Sequence, residues 1–164
     1  MQVNGQIAMP SFYQLGVTID LERSVARLSV APRNFSELTL IAEMEKAIVF
    51  CSTAFNNADA ERLGACFDPE FALSSPRGEL HGRDQAVNYF QQYFSLTPRA
   101  HLSMKMSDQR AVGEFVWTLY DYTIEAPSKH TFGRGIMLCR KSGNLWYILS
   151  MHESPIVTAV IPKP

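Results

Sequence analysis

Charge is scarce in this chain. Asp, Glu, Lys and Arg make up 19% of its 164 residues, against about 25% in ordinary soluble domains. The shortage is even-handed: 15 basic and 16 acidic residues leave a formal net charge of −1. That balance offers no broad positive field to nucleic acid, so no nucleic-acid partner is expected. No apolar run approaches the roughly 18 residues that a membrane-spanning helix needs, and no membrane partner is expected either. Cysteine is limited to Cys51, Cys66 and Cys139, with no Cys-x-x-Cys pair. An odd, widely spaced count fits neither a disulfide framework nor a zinc site, and each cysteine has an apolar neighbour. Three buried structural thiols are expected. The four histidines, His81, His101, His130 and His152, share no HxH or HExxH spacing, so no metal site is expected. Glycine-rich phosphate loops are also missing, and no cofactor is expected. Met1 to Pro10 has neither the basic start nor the apolar centre of a signal peptide, so the expected location is cytoplasmic.

What is present is enough apolar mass, 46% of residues, to build the core of one domain. Residues 1–33 read as an N-terminal arm or added β-hairpin, with strand-like stretches at Gly16–Leu21 and Ser24–Val30. The main domain spans 34–157, and 158–164 read as a tail. Asn34 with Glu37 forms a capping box, with Ser36 as a competing cap. Leu38, Ile41, Ile48 and Phe55 then recur at helical spacing to about Asn56. Asp59 caps a short helix over 60–67, ended by Asp68-Pro69. Phe71–Ser75 reads as a strand, Pro76-Arg77-Gly78 as a turn, and Glu79–His81 as the returning strand. Asp84 caps a third helix. Four strand-like stretches follow, over 100–107, 111–125, 129–141 and 145–154, with turns at Ser107–Gln109, Ala126–Ser128 and Ser142–Asn144. Helices followed by a long-stranded meander make an α+β domain. The strands at 111–125 and 145–154 are apolar on both faces. A sheet covered by helices on one side only would show polar residues on the other. A second copy of the chain, covering the outer face, is therefore expected as partner.

Three segments carry a resemblance to a known family. They are Phe71–Phe94, reading FALSSPRGELHGRDQAVNYFQQYF; Gly133-Arg134 through Arg140-Lys141-Ser142-Gly143; and Trp146-x-Ile148-x-Ser150-x-His152-x-Ser154. In that order, over about 36–157, the chain resembles the nuclear transport factor 2-like superfamily, in its SnoaL-like and kinase-association-domain-like branch. The resemblance implies a cone: a strongly curved antiparallel or mixed sheet wrapped around N-terminal helices and enclosing an apolar pocket. It also implies homodimers through the outer sheet face. The superfamily hosts isomerases, cyclases and dehydratases as well as transport and assembly domains, so fold does not select function.

His152 is the leading catalytic candidate. It sits at the end of the last strand, on one face with Ser150 and Ser154, where an imidazole serves as acid or base; its alternative is a structural role. The family's more common ending has a histidine where this chain has Ser150. Tyr120 and Tyr122 are candidate donors to a developing oxyanion, and Asp121, on the opposite face, is the alternative acid or base. Candidate ligand-binding residues are Ser75, Glu114, Thr118, Arg134 and Ser150. Glu114 and Thr118 share a face with the tyrosines. Ser75 precedes Pro76 where the ketosteroid-isomerase branch has its aspartate base, so steroid-isomerase-like enolisation is not expected. Two readings stay open. One is a cofactor-independent isomerase, cyclase or dehydratase acting on a small, largely apolar molecule. The other is a non-catalytic ligand-binding or oligomerisation module.

Overall fold

The computed structural model describes residues 16–20, 25–29 and 35–160. The expected cap at Asn34 and the N-terminal segment Met1 to Pro10 lie outside them. The chain divides into two units, Met1–Asn34 and Phe35–Pro164. In the first, strands β1 (Gly16–Asp20) and β2 (Val25–Ser29) pair antiparallel, Gly16 opposite Ser29.

The second unit runs α1 (Phe35–Asn56), α2 (Ala60–Gly64), β3 (Phe67–Ser75), β4 (Gly78–His81), α3 (Arg83–Leu96), β5 (His101–Val112), β6 (Phe115–Ala126), β7 (Lys129–Ser142) and β8 (Leu145–Val160). Its six strands form one open sheet in the order β4-β3-β8-β7-β6-β5. The β3–β8 pair is parallel and the others are antiparallel. This is the α+β architecture read from the sequence, with a mixed sheet. No helix of the described residues is long and apolar enough to cross a membrane.

Helix α1 buries Ile41, Met44, Ile48, Cys51 and Phe55 at helical spacing against the inner sheet face. Polar contacts fix its position on β5, among them the Ala111 amide donating to Glu37 Oε1 at 3.2 Å. Asn56 accepts from the Leu102 amide at 2.6 Å and donates to the Leu102 carbonyl at 3.1 Å, and Glu45 accepts from Gln109 Nε2 at 2.9 Å. Asp59 caps α2 as expected, accepting from the Arg62 amide at 2.9 Å.

Several expectations are corrected. Helix α2 stops at Gly64, and β3 begins at Phe67 and passes through Asp68-Pro69. A proline is tolerated there because the β3–β8 ladder is irregular between Phe67 and Ala72. The buried Asp68 carboxylate, 1% exposed, is held by Arg140 Nη2 at 2.6 Å and Nε at 3.0 Å. Asp84 does not cap α3. The cap is Gly82, at φ 81° and without a side-chain bond, while Asp84 lies in the first turn, favourably placed in the helix dipole. Ser107–Gln109 is no turn but a bulge inside β5, with Gln109 buried; the chain turns at Gly113, whose φ of 60° suits glycine. Finally, Cys51 and Cys66 form a disulfide, with Cα atoms 5.9 Å apart, and only Cys139 is a free, buried thiol among the described residues. The helical reach of α1 brings Cys51 beside the end of α2, a proximity that sequence spacing does not disclose. The bond also removes one ground for assigning a reducing compartment.

Two glycines of β7 allow the inner face to take tyrosines. Gly133 and Gly135 stand opposite Tyr122 and Tyr120 on β6, and the rings lie across them. A Cβ on Gly135 would meet the Tyr120 ring at 2.5 Å and the His152 carbonyl at 2.7 Å. The backbone carbonyl cannot yield, so Gly135→Ala is expected to cost about 1–3 kcal/mol by overpacking. Urea unfolding measures this, and a loss below about 0.5 kcal/mol would contradict the packing described.

Candidate active site

The inner sheet face, α1 and α3 enclose a cavity of about 100 Å³. Its ends differ in chemistry. Parallel pairing of β3 with β8 sets Phe67 beside Ile148 at one end, and carries both strands toward Ser75 and Glu153 at the other. Phe67, Phe71, Phe55 and Ile148 line the apolar end. Ser75, Arg77, Tyr89, Tyr93, Tyr122 and Glu153 supply the polar end, and Ser52 of α1 is a further polar lining residue.

Glu153 reaches the cavity because of a bulge in β8. Ile148 pairs with Cys139 of β7, but Ser150 pairs with Leu138. β8 thus advances two residues while β7 advances one, and Leu149 is the surplus. An extra residue inverts the alternation of side chains beyond it. Trp146 and Ile148 face inward before the bulge; Met151, Glu153 and Pro155 line the cavity after it. Ser150, His152 and Ser154 consequently pass to the outer face.

Among the described residues, Glu153 is the one carboxylate lining this cavity. Its Oε1 accepts a hydrogen bond from the Tyr120 hydroxyl at 3.3 Å. Burial pushes its pKa above the ordinary carboxylate value, against the opposing pull of the Tyr120 hydrogen bond and of the Arg77 and His152 charges. Tyr120 is itself 1% exposed. Burial, then the neighbouring Glu153 carboxylate, raises its pKa well above the usual phenol range, so it remains a donor. Burial likewise pushes the Tyr122 phenol up to about 12. At the rim, Arg77 is set against the Tyr89 hydroxyl. Burial opposes its charge, but Tyr89 and the other neighbours more than restore it, and the guanidinium stays cationic.

The structure brings together some of the residues singled out from sequence and separates others. Tyr122 and Ser75 line the cavity; the Ser75 hydroxyl donates to the Gly78 carbonyl at 3.3 Å and accepts from the Arg77 amide at 3.2 Å. Tyr120 stands behind the lining, on Glu153. Thr118 is fully buried, its hydroxyl bound to the Leu119 carbonyl at 3.0 Å, and does not line the cavity. Glu114 is at the β5–β6 turn, exposed, because the turn falls later than expected. Asp121 and Arg134 form an ion pair at 2.7 Å on the outer face, and the Arg134 hydrogen bond holds the Asp121 carboxyl below its usual range. Ser150 lies on the outer face opposite Leu138. His152 is exposed there, its Nε2 3.4 Å from Ser154 Oγ, and is not part of the lining. This corrects the expectation that His152 faces the pocket, and its cause is the Leu149 bulge. Sequence reasoning missed Glu153, Arg77, Tyr89 and Tyr93. The available signal was the run Met151-x-Glu153-x-Pro155, which alternates in the opposite phase to Trp146-x-Ile148. No His, Cys, Asp and Glu group that could hold a metal occurs among the described residues.

Residues 50–147 match the model of the SnoaL-like domain, and the chain belongs to that family, within the nuclear transport factor 2-like superfamily. Solved structures share the fold. A type 2 hexachlorocyclohexane dehydrochlorinase has a TM-score of 0.68 at 8% identity, covering 76% of this chain and 90% of its own. A ketosteroid isomerase-like protein from Erwinia carotovora atroseptica has a TM-score of 0.59 at 18% identity, covering 71% and 95%. A nuclear transport factor 2-like protein of unknown function from Shewanella oneidensis has 0.63 at 12%, covering 69% and 97%. At these identities the likeness is one of fold. No curated protein matches the chain in sequence.

The raised pKa of Glu153 has a sign that thermal unfolding can read. A carboxyl that ionises less readily in the fold than in the unfolded chain lowers stability as pH rises through its folded pKa. Below about pH 4, where the carboxyl is neutral in both states, that contribution vanishes. Glu153→Gln is therefore expected to gain in Tm relative to the wild type as pH rises from 4, reaching a plateau once Glu153 is fully ionised. A difference that is flat with pH, or that shrinks, would contradict the burial of Glu153.

Proposed function

We propose that the chain is an enzyme that moves a proton on a small, largely apolar molecule, of the isomerase, cyclase or dehydratase type, with Glu153 as its acid–base group. The observation that carries this reading is a lone carboxylate in an apolar cavity, desolvated and held by a buried tyrosine. Such a group has its pKa moved toward neutrality, where general acid–base catalysis is most effective. The SnoaL-like family and the dehydrochlorinase and isomerase-like proteins of the same fold support a small-molecule role.

The reaction follows from the residues. The ionised Glu153 carboxylate takes a proton from carbon next to a carbonyl. The C–H pair becomes the new C=C bond and the carbonyl π pair moves to oxygen. Tyr122, protonated at neutral pH, donates a hydrogen bond to that oxyanion. Returning the proton to a different carbon gives an isomer. Handing it to a departing β-hydroxyl releases water and regenerates the carboxylate. The cavity limits size: about 100 Å³ is less than the roughly 150 Å³ that admits benzene. A one-ring head fits once the flexible lining side chains Met104, Met137 and Met151 rotate aside.

Deuterium exchange tests the chemistry without the natural substrate. One-ring ketones and enones incubated in D2O with the protein are expected to exchange α-hydrogens, read by NMR. Glu153→Gln should slow exchange by about 10²–10⁴-fold, while His152→Ala should stay within about 3-fold of wild type. Exchange no faster than in Glu153→Gln across the panel, or its loss in His152→Ala, would contradict the assignment; the first result supports the binding-module reading.

The outer sheet face is proposed as the seat of a second copy of the chain. Phe132 is 39% exposed and Ile136 50%, and the half-buried Trp117 and Leu119 of β6 lie on the same face. Light scattering at micromolar concentration is expected to show a dimer that Ile136→Lys weakens at least tenfold. A monomeric wild-type chain would contradict it.

A further inference from the structure

A second cavity, of about 330 Å³, opens on the far side of Arg77. Arg77, Tyr89, Tyr93 and Ile124 line both cavities, so they form the partition between them. The outer chamber adds Gln92, Thr97, Lys129 and Thr131. Charge is unevenly distributed over the two. Among the described residues, their linings hold two cations, Arg77 and Lys129, and a single acid, Glu153, which burial biases toward its neutral form. Arg77 makes no ion pair with any described residue; its hydrogen-bond partner is the Tyr89 hydroxyl. A guanidinium offers a planar fork of donors that matches a carboxylate. Here that fork is partly desolvated and flanked by two tyrosine hydroxyls; the one carboxylate whose charge reaches it among the described residues is Glu153, which is not within ion-pair distance.

Size assigns the two parts of a ligand. An inner cavity of about 100 Å³ accepts an apolar head but has no room for a hydrated anionic group beside it. The outer chamber has that room and carries the positive charge. We propose that the site takes an elongated organic anion, its apolar one-ring head in the inner cavity and its carboxylate held by Arg77 in the outer chamber on the side of Lys129. The inference rests on the reading of the inner cavity as the ligand site. It goes beyond that reading by giving the ligand a charge, a length and a specificity-determining residue. Arg77 thereby discriminates between acids and their neutral analogues, and the head is delivered to Glu153 in one orientation.

The test uses 3-phenylpropionate and its amide, which share a ring and a two-carbon arm and differ in charge. Isothermal titration calorimetry at pH 7 is expected to show the acid binding at least tenfold tighter than the amide. Arg77→Gln should erase that preference by weakening the acid alone, and Arg77→Lys should retain part of it. Lys129→Ala should weaken the acid about 2–3-fold, in proportion to a longer-range charge. Arg77 sits in the β3–β4 turn, so its variants are expected to melt like wild type, and thermal unfolding verifies this. Equal affinity for acid and amide, a preference that survives Arg77→Gln, or binding of neither compound would overturn the proposal. Arg77-dependent binding without deuterium exchange in the wild type would leave this inference standing while removing the catalytic role of Glu153.

Discussion

Between Ile148 and Ser150, β8 spends two residues where β7 spends one, and the surplus at Leu149 decides which side chains the cavity receives. Before that point the inward positions carry Trp146 and Ile148, large buried apolar groups, of which Ile148 lines the cavity. After it they carry Met151, Glu153 and Pro155. Without the bulge, Ser150, His152 and Ser154 would face inward, and the cavity would hold an imidazole and two hydroxyls instead of one carboxylate. A one-residue change in phase therefore exchanges one acid–base chemistry for another.

A desolvated carboxylate is tolerated only with partners, since an unpaired buried charge is costly. Tyr120 supplies the hydrogen bond, and the rest of the inner face makes room for Tyr120. Gly135 lets its ring lie across β7, Gly133 does the same for Tyr122, and Val116 and Thr118 complete the buried face of β6. On the floor, the aromatic rings of Phe67 and Phe71 stack at 4.3 Å between centroids, and Phe67 stacks on Phe90 of α3 at 5.8 Å. These contacts pack the rings that line the apolar end of the cavity, at the far end from Glu153. The charge on Arg77 then works at the rim, where water still reaches it.

Much of the fold was legible because periodicity records burial. The inward face of β6 and the apolar stripe of α1 follow directly from residue spacing. Turns with a positive-φ glycine were legible where a polar cluster accompanied them, as at Ser142-Gly143-Asn144, and misleading where the cluster marked a bulge, as at Ser107–Gln109. The site was less legible. Tyr120, Tyr122 and Ser75 were reached through strand faces and the family's pattern. Glu153 was missed because alternation cannot be extrapolated through an unseen bulge, and Arg77 because a residue in a turn has no facing pattern to read. The Cys51–Cys66 pairing was missed for a related reason: it depends on how α1 and α2 meet, a tertiary distance.

The central claim is the phase of β8, and an NOE experiment on isotopically labelled protein tests it most directly. The account predicts contacts between the Glu153 side-chain methylenes and the Tyr120 ring, with none from the His152 ring to Tyr120. Contacts from the His152 ring to Tyr120, with Glu153 showing none, would place the bulge wrongly and contradict the site described.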